Sequence, residues 1–178
     1  KCQETMDIYA PLAHRLGMQK VKWELEDIAL RYLNPDAYTQ IMSHLSAHRE
    51  QDEAFMRTIQ EKIAQRLSAM GIHNKAYGRI KHVYSIYRKM YSQGKSMDEL
   101  YDIYAFRVIV DNIPNCYNVL GHVHDLFNLV PGRFKDYIST PKPNMYRSLH
   151  TTVFGRGGVP FEVQIRTHEM HQIAEFGI

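Results

Sequence analysis

The sequence predicts an α+β protein in which an all-helical segment precedes a mixed β-sheet flanked by helices. Residues 1–70 consist mainly of helix formers and of apolar residues at helical spacing. From residue 71 onward, short runs rich in β-branched and aromatic residues alternate with helical runs. We therefore expect two regions, a helical region over 1–70 and a sheet domain over 71–178.

The helical region is predicted to change helix at Asn34-Pro35. Asn is a good N-cap and Pro fits the first helical turn, so one helix ends there and the next begins. From Asp36 to Met70 apolar residues recur mostly in steps of four, with one gap, which predicts one long amphipathic helix. Gly71 is suited to end it. The region shows no obvious arrangement of catalytic groups.

Three runs in the sheet domain have the composition of strands. Residues 105–110 predict a largely buried strand, and 148–154 and 161–167 predict two strands joined by a Gly-rich turn. Residues 114–129 predict a helix, and a last helix is expected from near His168. Together these elements indicate a mixed sheet of about five strands with helices around it.

Composition limits the class of protein. The 178 residues are 44% hydrophobic, and no apolar run is long enough to cross a bilayer. Two cysteines are too few for a disulfide framework or a zinc site, which favours a reducing, cytoplasmic location. The net charge of +3 does not by itself indicate a polyanion-binding protein. However, the stretch from Arg79 to Lys95 is rich in Lys and Arg and contains no acid, which suits phosphates.

The first candidate binding motif is a polar stripe. If a helix begins near Lys81, then Lys81, Ser85 and Lys89 lie at i, i+4 and i+8, while Val83 and Ile86 lie on the other side and can pack. Two ammonium groups and a hydroxyl beside a helix N-terminus suit a polyphosphate. A solvated basic face has the same pattern, and spacing alone favours that simpler interpretation.

Two acids are candidate metal ligands. Asp102 comes just before the buried strand that contains Arg107, and we expect it in the preceding turn, because the odd separation would otherwise place the two side chains on opposite faces. In the last strand Glu162, Gln164 and Arg166 alternate with apolar residues and share one face. A wet sheet face and the wall of a cleft are both consistent with this pattern. Glu162 can join Asp102 around a metal or accept a proton from a hydroxyl nucleophile.

The loop before the second strand is also rich in candidate ligands. Its Pro and Gly residues indicate irregular backbone, so Lys135 and Lys142 are not needed for packing. If residues 146–150 are extended, Tyr146, Ser148 and His150 share a face. A tyrosine ring there can stack on a nucleobase while lysines bind phosphates.

Four motifs in order resemble the synthetase domain of the RelA/SpoT family, which makes the alarmone (p)ppGpp. They lie at residues 78–87, 101–108, 144–151 and 162–167. The resemblance runs from Tyr77 to about Ile173, which is more than half of the chain. It implies a nucleotidyltransferase-like sheet and a pyrophosphokinase that uses ATP and GDP or GTP.

The resemblance implies roles on the ATP side of the site. Arg79 and Arg107 would sandwich the adenine between their planar guanidinium groups. Lys81, Ser85 and Lys89 would hold the phosphates. The 3′-hydroxyl of GDP or GTP would attack the β-phosphorus of ATP in line and release AMP, with catalysis by positioning and charge neutralisation.

The resemblance also implies metal and guanine ligands. Asp102 and Glu162 would bind Mg²⁺ (or Mn²⁺), and Glu162 would also assist deprotonation of the hydroxyl. Tyr146 would stack on guanine. The other residues expected to hold the guanine nucleotide are Lys135, Lys142, Asn144 and His150.

Two further stretches resemble the long members of the family. Residues 7–17 are similar to the helices that follow the hydrolase domain, so this chain is expected to lack the hydrolase. The stretch Arg133–Asp136 matches the basic form of a loop that is acidic in synthetase-only long enzymes. This implies a bifunctional parent and makes the loop a candidate for tuning GDP against GTP. The parent is expected to act in the stringent response and to reach the ribosome through other segments, whereas this chain needs neither membrane nor direct nucleic-acid contact.

Two other classes of protein fit parts of the sequence. A catalytically idle module would bind nucleotides for regulation, but the presence of both Asp102 and Glu162 argues against it. An RNA-binding module would use the same Lys, Arg and Tyr side chains. Two acids among those cations would repel RNA phosphates unless a metal intervened.

Overall fold

The computed structural model describes residues 1–177, and of Asp98 only the backbone. The predicted end of the sheet domain at residue 178 therefore lies just outside the described residues. The helices are α1 (Cys2–Glu4), α2 (Ala10–Arg15), α3 (Gln19–Leu33), α4 (Pro35–Ala47), α5 (Arg49–Ala69), α6 (Val83–Gln93), α7 (Ile113–Leu126) and α8 (His168–Phe176). The strands are β1 (Asn74–Ile80), β2 (Tyr104–Val110), β3 (Asn128–Leu129), β4 (Lys135–Asp136), β5 (Leu149–Phe154) and β6 (Pro160–Thr167). Shorter turns are π-helical at Thr5–Tyr9 and 3₁₀ at Met97–Glu99 and Arg156–Gly158.

The strands form one mixed sheet, which confirms the predicted fold class. Its order is β1-β2-β6-β5-β3, and β4 pairs with β5. Strands β2 and β6 are parallel, and all the other pairs are antiparallel. The long crossover between β2 and β6 includes α7, as a parallel connection requires. Six strands form the sheet, one more than the approximate number expected.

The core lies between one face of the sheet and two helices, α5 and α7. Strand alternation sends one set of side chains to this face, and they are almost fully buried. Examples are Phe106 and Val108 of β2 and Val163 and Ile165 of β6. The helices contribute Ile59, Ile63 and Leu67 from α5 and Cys116, Val119 and Val123 from α7. The opposite face of the sheet is left for polar side chains.

Strand β1 was not predicted, because its composition is only weakly strand-like and Gly78 interrupts it. The strand is held at the edge of the sheet by antiparallel pairing with β2 alone. Gly78 is required by packing, since a Cβ there would lie 2.5 Å from Met56 Cε and 3.0 Å from Phe106 Cε1. The absence of a side chain therefore lets α5 approach the sheet.

The single long helix predicted after Asp36 is wrong, because the chain breaks at His48 into α4 and α5. The break corresponds to the gap in the apolar pattern. It lets the two helices pack in different places, Ile41 of α4 against α3 and α6 and Ile63 of α5 against the sheet. The predicted cap is confirmed, since the N–H of Ala37 donates to Asn34 Oδ1 at 3.2 Å. Among residues 1–177, no helix combines the length and apolarity needed to cross a membrane.

A second apolar cluster joins the helical region to α6. Leu30 of α3, Ile41 of α4, and Val83 and Ile86 of α6 are buried together with Leu100. This confirms the prediction that one side of α6 is packed and the other side is polar. Because α6 packs on α3 and α4, the position of its polar side depends on the first region of the chain.

Replacement of Ile63 by Ala tests whether α5 is part of the sheet core. Ile63 is fully buried, so Ile63→Ala is expected to lower the free energy of unfolding by about 2–5 kcal/mol. Ile28 of α3 is 58% exposed, and Ile28→Ala is the matched control with an expected change within about 0.5 kcal/mol. Urea unfolding measures both. Similar losses for the two variants would contradict this packing.

Candidate active site

A cavity of about 550 Å³ lies over the polar face of the sheet, between α3, α6 and the loop before β5. All the residues to which the resemblance assigns a role line this cavity. They are Arg79, Lys81, Ser85, Lys89, Asp102, Arg107, Lys135, Lys142, Asn144, Tyr146, His150 and Glu162. Residues more than 80 positions apart in sequence are thus brought to one place.

The lining of this cationic cavity is strongly basic. Among the described residues, ten Lys or Arg side chains line it, against two carboxylates, Asp102 and Glu162. The ten are Lys22, Arg79, Lys81, Arg88, Lys89, Arg107, Arg133, Lys135, Lys142 and Arg166. Cations brought together in a cleft repel one another unless an anion joins them. The cavity is therefore suited to a ligand with several negative charges.

Two arginines next to the indole of Trp23 form one end of the cationic cavity. The Arg79 guanidinium carbon lies 4.3 Å from the ring centroid of Trp23, and that of Arg107 lies 5.6 Å from it. Arg107 Nη1 forms an ion pair with Glu175 Oε1 of α8 at 2.7 Å. Burial and the neighbouring charge of Arg107 lower the pKa of Arg79 to about 10. The Arg79 guanidinium therefore remains charged near neutral pH.

The predicted polar stripe faces the cavity, although α6 begins at Val83 rather than near Lys81. Lys81 precedes the helix, where its N–H donates to Ile103 O at 2.8 Å. The ammonium groups of Lys81 and Lys89 both donate to Asp102 Oδ2. Asp102 lies in the turn before β2, as predicted. Burial opposes its ionisation, but the two lysines outweigh burial and lower the pKa of Asp102.

The second carboxylate is held at the middle of the sheet. Glu162, Gln164 and Arg166 all line the cavity, which confirms the alternation predicted for β6. Glu162 Oε1 accepts from Gln164 Nε2 at 2.6 Å and lies 2.9 Å from His150 Nδ1. Burial alone would raise the pKa of Glu162, but these contacts outweigh it and hold the pKa far below its usual range.

The loop before β5 forms the other end of the cavity. The hydroxyl of Tyr146 lies 2.8 Å from His150 Nε2, and Lys142 Nζ lies 5.0 Å from the Tyr146 ring centroid. Burial raises the pKa of Tyr146, so its hydroxyl stays protonated. Ser148 does not line the cavity, contrary to expectation. It is buried instead and donates to Ile165 O at 3.0 Å.

The helical region contributes cavity residues that the sequence did not indicate. His14, Gln19, Lys22 and Trp23 of α2 and α3 line the cavity. Asn144 Nδ2 of the β5 loop donates to His14 O at 3.2 Å. The only local signal is that the α3 residues recur at helical spacing. Their partners are far away in sequence, so the facing side of α3 follows from tertiary packing alone.

A second cavity of similar size, about 590 Å³, lies between α5 and β1. Its charged residues are Glu53, Arg57, Glu61 and Arg79, so acids and guanidinium groups are equal in number. It has none of the excess positive charge of the cationic cavity. The chemistry of the lining therefore favours the cationic cavity as the functional site.

The fold and the site define an α+β domain with a cationic cavity on the open face of its sheet. The family described as a region found in RelA / SpoT proteins matches residues 78–178, more than half of the chain. The chain therefore belongs to the RelA/SpoT family.

Individual relatives are similar over almost the whole chain. A Synechocystis protein named "Probable guanosine-3′,5′-bis(diphosphate) 3′-pyrophosphohydrolase" is 52% identical over 99% of this chain and 23% of its own length. A GTP pyrophosphokinase from Streptomyces coelicolor is 49% identical over 100% of this chain and 21% of its own. The chain thus spans less than a quarter of the length of these relatives. The crystal structure of small alarmone synthetase 2 from Bacillus subtilis is 30% identical, with a TM-score of 0.56 over 67% of this chain and 71% of that one.

Replacement of Glu162 by Gln tests the contacts of the buried carboxylate. Folding lowers the pKa of Glu162. The ionised carboxylate therefore stabilises the folded chain fully above its ordinary pKa of 4.5, and this stabilisation is lost as the pH falls below that value. Glu162→Gln is expected to lower the free energy of unfolding by about 1–3 kcal/mol at neutral pH, and the difference should shrink in acid. Urea unfolding over a pH series measures this. Exposed Glu169, replaced in the same way, is the control, and a difference that grew in acid would contradict the assignment.

Proposed function

We propose that this chain is a GTP/GDP pyrophosphokinase, which transfers the β,γ-pyrophosphate of ATP to the 3′-hydroxyl of GDP or GTP and so makes (p)ppGpp. The observation that carries the proposal is the cationic cavity, in which ten cations surround two carboxylates. Two polyphosphate substrates need many cations, and phosphoryl-type transfer needs few other groups. Relatives with 49% sequence identity are named GTP pyrophosphokinases, which supports the same reaction.

ATP is assigned to the end of the cavity that contains α6. Arg79 and Arg107 present planar guanidinium groups to the adenine, which such groups stack on well. Lys81, Ser85 and Lys89 follow along the cavity and bind the phosphates. In the absence of phosphate, the two lysines neutralise Asp102. Nucleotide binding therefore exchanges these lysine contacts for contacts to phosphate.

The two carboxylates fit a magnesium ion. Mg²⁺ prefers oxygen ligands and is usually held by one or two carboxylates together with substrate phosphates. Asp102 and Glu162 line one cavity, and their low pKa values keep them ionised as ligands must be. Mg²⁺, or Mn²⁺ in its place, would neutralise charge on the transferred phosphates. For Asp102 to act as a ligand, Lys81 and Lys89 must turn away to the phosphates.

The guanine nucleotide is assigned to the end formed by the β5 loop. Among the described residues, no carboxylate lies within ion-pair distance of Lys135 or Lys142, so both are available to phosphate. Tyr146 offers a half-buried ring on which guanine stacks. Asn144 and His150 provide polar groups beside it.

The reaction is an in-line displacement. The 3′-hydroxyl oxygen of the acceptor bonds to the β-phosphorus of ATP, the bond from that phosphorus to the α–β bridging oxygen breaks, and AMP leaves. Glu162 accepts the hydrogen bond of the hydroxyl and assists its deprotonation. While His150 and Gln164 hold Glu162, its low pKa makes it a weak base, so the acceptor must displace at least one of these contacts. The remaining catalysis comes from positioning and fixed charge.

We assign the synthetase to residues 71–178 and a connecting role to the helical region of 1–70. One relative has a hydrolase name and others are named pyrophosphokinases, which supports a long parent with both activities. The basic stretch Arg133–Asp136 is assigned to the choice between GDP and GTP. We place the parent in the cytoplasm, in the stringent response and at the ribosome through segments outside this chain.

An activity assay tests the proposal directly. With ATP, GDP and Mg²⁺, the chain is expected to release AMP and a guanosine tetraphosphate. Glu162→Gln should lower kcat by at least about a hundredfold, because it removes both a metal ligand and the group that assists deprotonation. Glu169→Gln lies outside the cavity and should keep full activity. Chromatographic separation of nucleotides measures both. If the unsubstituted chain binds ATP and GDP but forms no product, an idle module is favoured. If it binds RNA but neither nucleotide, an RNA-binding module is favoured.

Replacement of Tyr146 tests the assignment of the two ends of the cavity. Loss of a ring that stacks on a base costs about 1–3 kcal/mol, so Tyr146→Ala should weaken GDP binding by roughly 5- to 150-fold and ATP binding by less than about twofold. Tyr146→Phe keeps the ring and should bind GDP nearly as well as the parent chain. Calorimetry with each nucleotide measures this. Equal losses of ATP and GDP binding in Tyr146→Ala would refute the assignment.

A further inference from the structure

The indole of Trp23 lies where the proposed function places the adenine of ATP. Trp23 is the single tryptophan of the chain and belongs to α3, in the helical region. Its ring is 4.3 Å from the Arg79 guanidinium carbon and 5.6 Å from that of Arg107. These distances are within the range in which a guanidinium group stacks on an aromatic ring.

His82 shows which face of the indole Arg79 covers. Its ring stacks on that of Trp23, with centroids 4.5 Å apart and planes inclined by 24°. Arg79 Nη1 is also 3.4 Å from His82 Nε2. Two groups on opposite faces of an indole are too far apart for such a contact, so Arg79 and His82 cover the same face. Arg107 is near the same ring, with its guanidinium carbon 5.6 Å from the centroid.

We propose that Trp23 occupies the adenine position beside Arg79 and Arg107, so that ATP binds only when α3 withdraws this side chain. An indole and an adenine are both flat bicyclic rings of similar size, and the face of Arg79 that stacks on the indole is not open to the adenine. The inference rests on the proposed function, which assigns adenine to these arginines. It makes the helical region a gate for the ATP side of the site.

Other contacts hold α3 in the docked position. Asp27, one turn after Trp23, accepts from the N–H of Tyr84 at 2.8 Å and lies 3.5 Å from His82 Nδ1. Tyr84 is in the first turn of α6, so Asp27 caps the helix that contains Ser85 and Lys89. Withdrawal of Trp23 therefore also disturbs the start of α6. Because coupling is reciprocal, ATP that displaces Trp23 weakens the docking of α3.

The single tryptophan makes the test direct. Binding of a non-hydrolysable ATP analogue is measured by calorimetry, and Trp23 is followed in the same samples by its fluorescence. Saturation with the analogue is expected to change the emission of Trp23 and to increase its quenching by acrylamide, since the ring moves toward solvent. Saturation with GDP alone should leave Trp23 protected. Calorimetric binding of the analogue with unchanged Trp23 emission and quenching would overturn the gate.

Replacement of Trp23 provides the second measurement. Trp23→Ala removes the competitor, so the affinity for the ATP analogue should rise by roughly 3- to 30-fold, the equivalent of the lost stacking, while GDP affinity stays the same. Tyr32→Ala is the matched control, since Tyr32 is an aromatic residue of the same helix that is 70% exposed. Circular dichroism verifies the fold of both variants.

The outcomes separate this inference from the proposed function. Weaker binding of the ATP analogue by folded Trp23→Ala would make Trp23 a stacking partner of adenine and would overturn the gate, although ATP binding itself would stand. Unchanged binding in Trp23→Ala would overturn it as well. If neither the unsubstituted chain nor Trp23→Ala bound the analogue, the proposed function would fail and the gate with it.

Discussion

The parallel pairing of β2 with β6 is the constraint on which the site depends. It places Arg107 opposite Gln164 and Ala105 opposite Glu162, so polar side chains of both strands point to the same face. The other face of the same strands forms the core. A slip of β2 by one residue would turn Arg107 into the core and Phe106 toward solvent, at a large cost in burial. The apolar packing under α5 and α7 therefore fixes the register, and the register fixes the site.

The two carboxylates of the site are paired with basic groups of the chain itself. Asp102 is neutralised by Lys81 and Lys89, and Glu162 is held by His150. A partly buried charge without a partner costs several kcal/mol, so these contacts stabilise the folded chain until a ligand replaces them. Under the proposed function, binding of phosphates and a metal would exchange these partners instead of creating new ones. The exchange limits affinity, but it also means that the ligands arrive at groups that are already charged and positioned.

The local sequence pattern predicts much of the secondary structure, but little of how the helices and strands pack together. The central strands and α7 follow from alternation and composition, and the residues named by the family resemblance all line one cavity. Edge strand β1 was missed because only pairing with β2 holds it extended. The gap in the apolar pattern near His48 does not by itself indicate a break, because α4 and α5 are separated by what they pack against. Trp23 has no local sign of a role at all, since its partners Arg79 and Arg107 lie in distant strands.

Leu30 fixes the far end of α3 in the second apolar cluster, so the Trp23 end is the part suited to move. Stacking on Arg79 and Arg107 contributes about 0.5–2 kcal/mol, and the hydrogen bond from Tyr84 to Asp27 about 1.5–3 kcal/mol. A docked state favoured by a few kcal/mol leaves a withdrawn state with a population of the order of one per cent. A ligand that binds only the withdrawn state reverses this ratio when its differential affinity exceeds about 5 kcal/mol. Under the proposed function, phosphate contacts to Lys81, Ser85 and Lys89 would provide an interaction of that size, because charge-assisted hydrogen bonds are the strong ones.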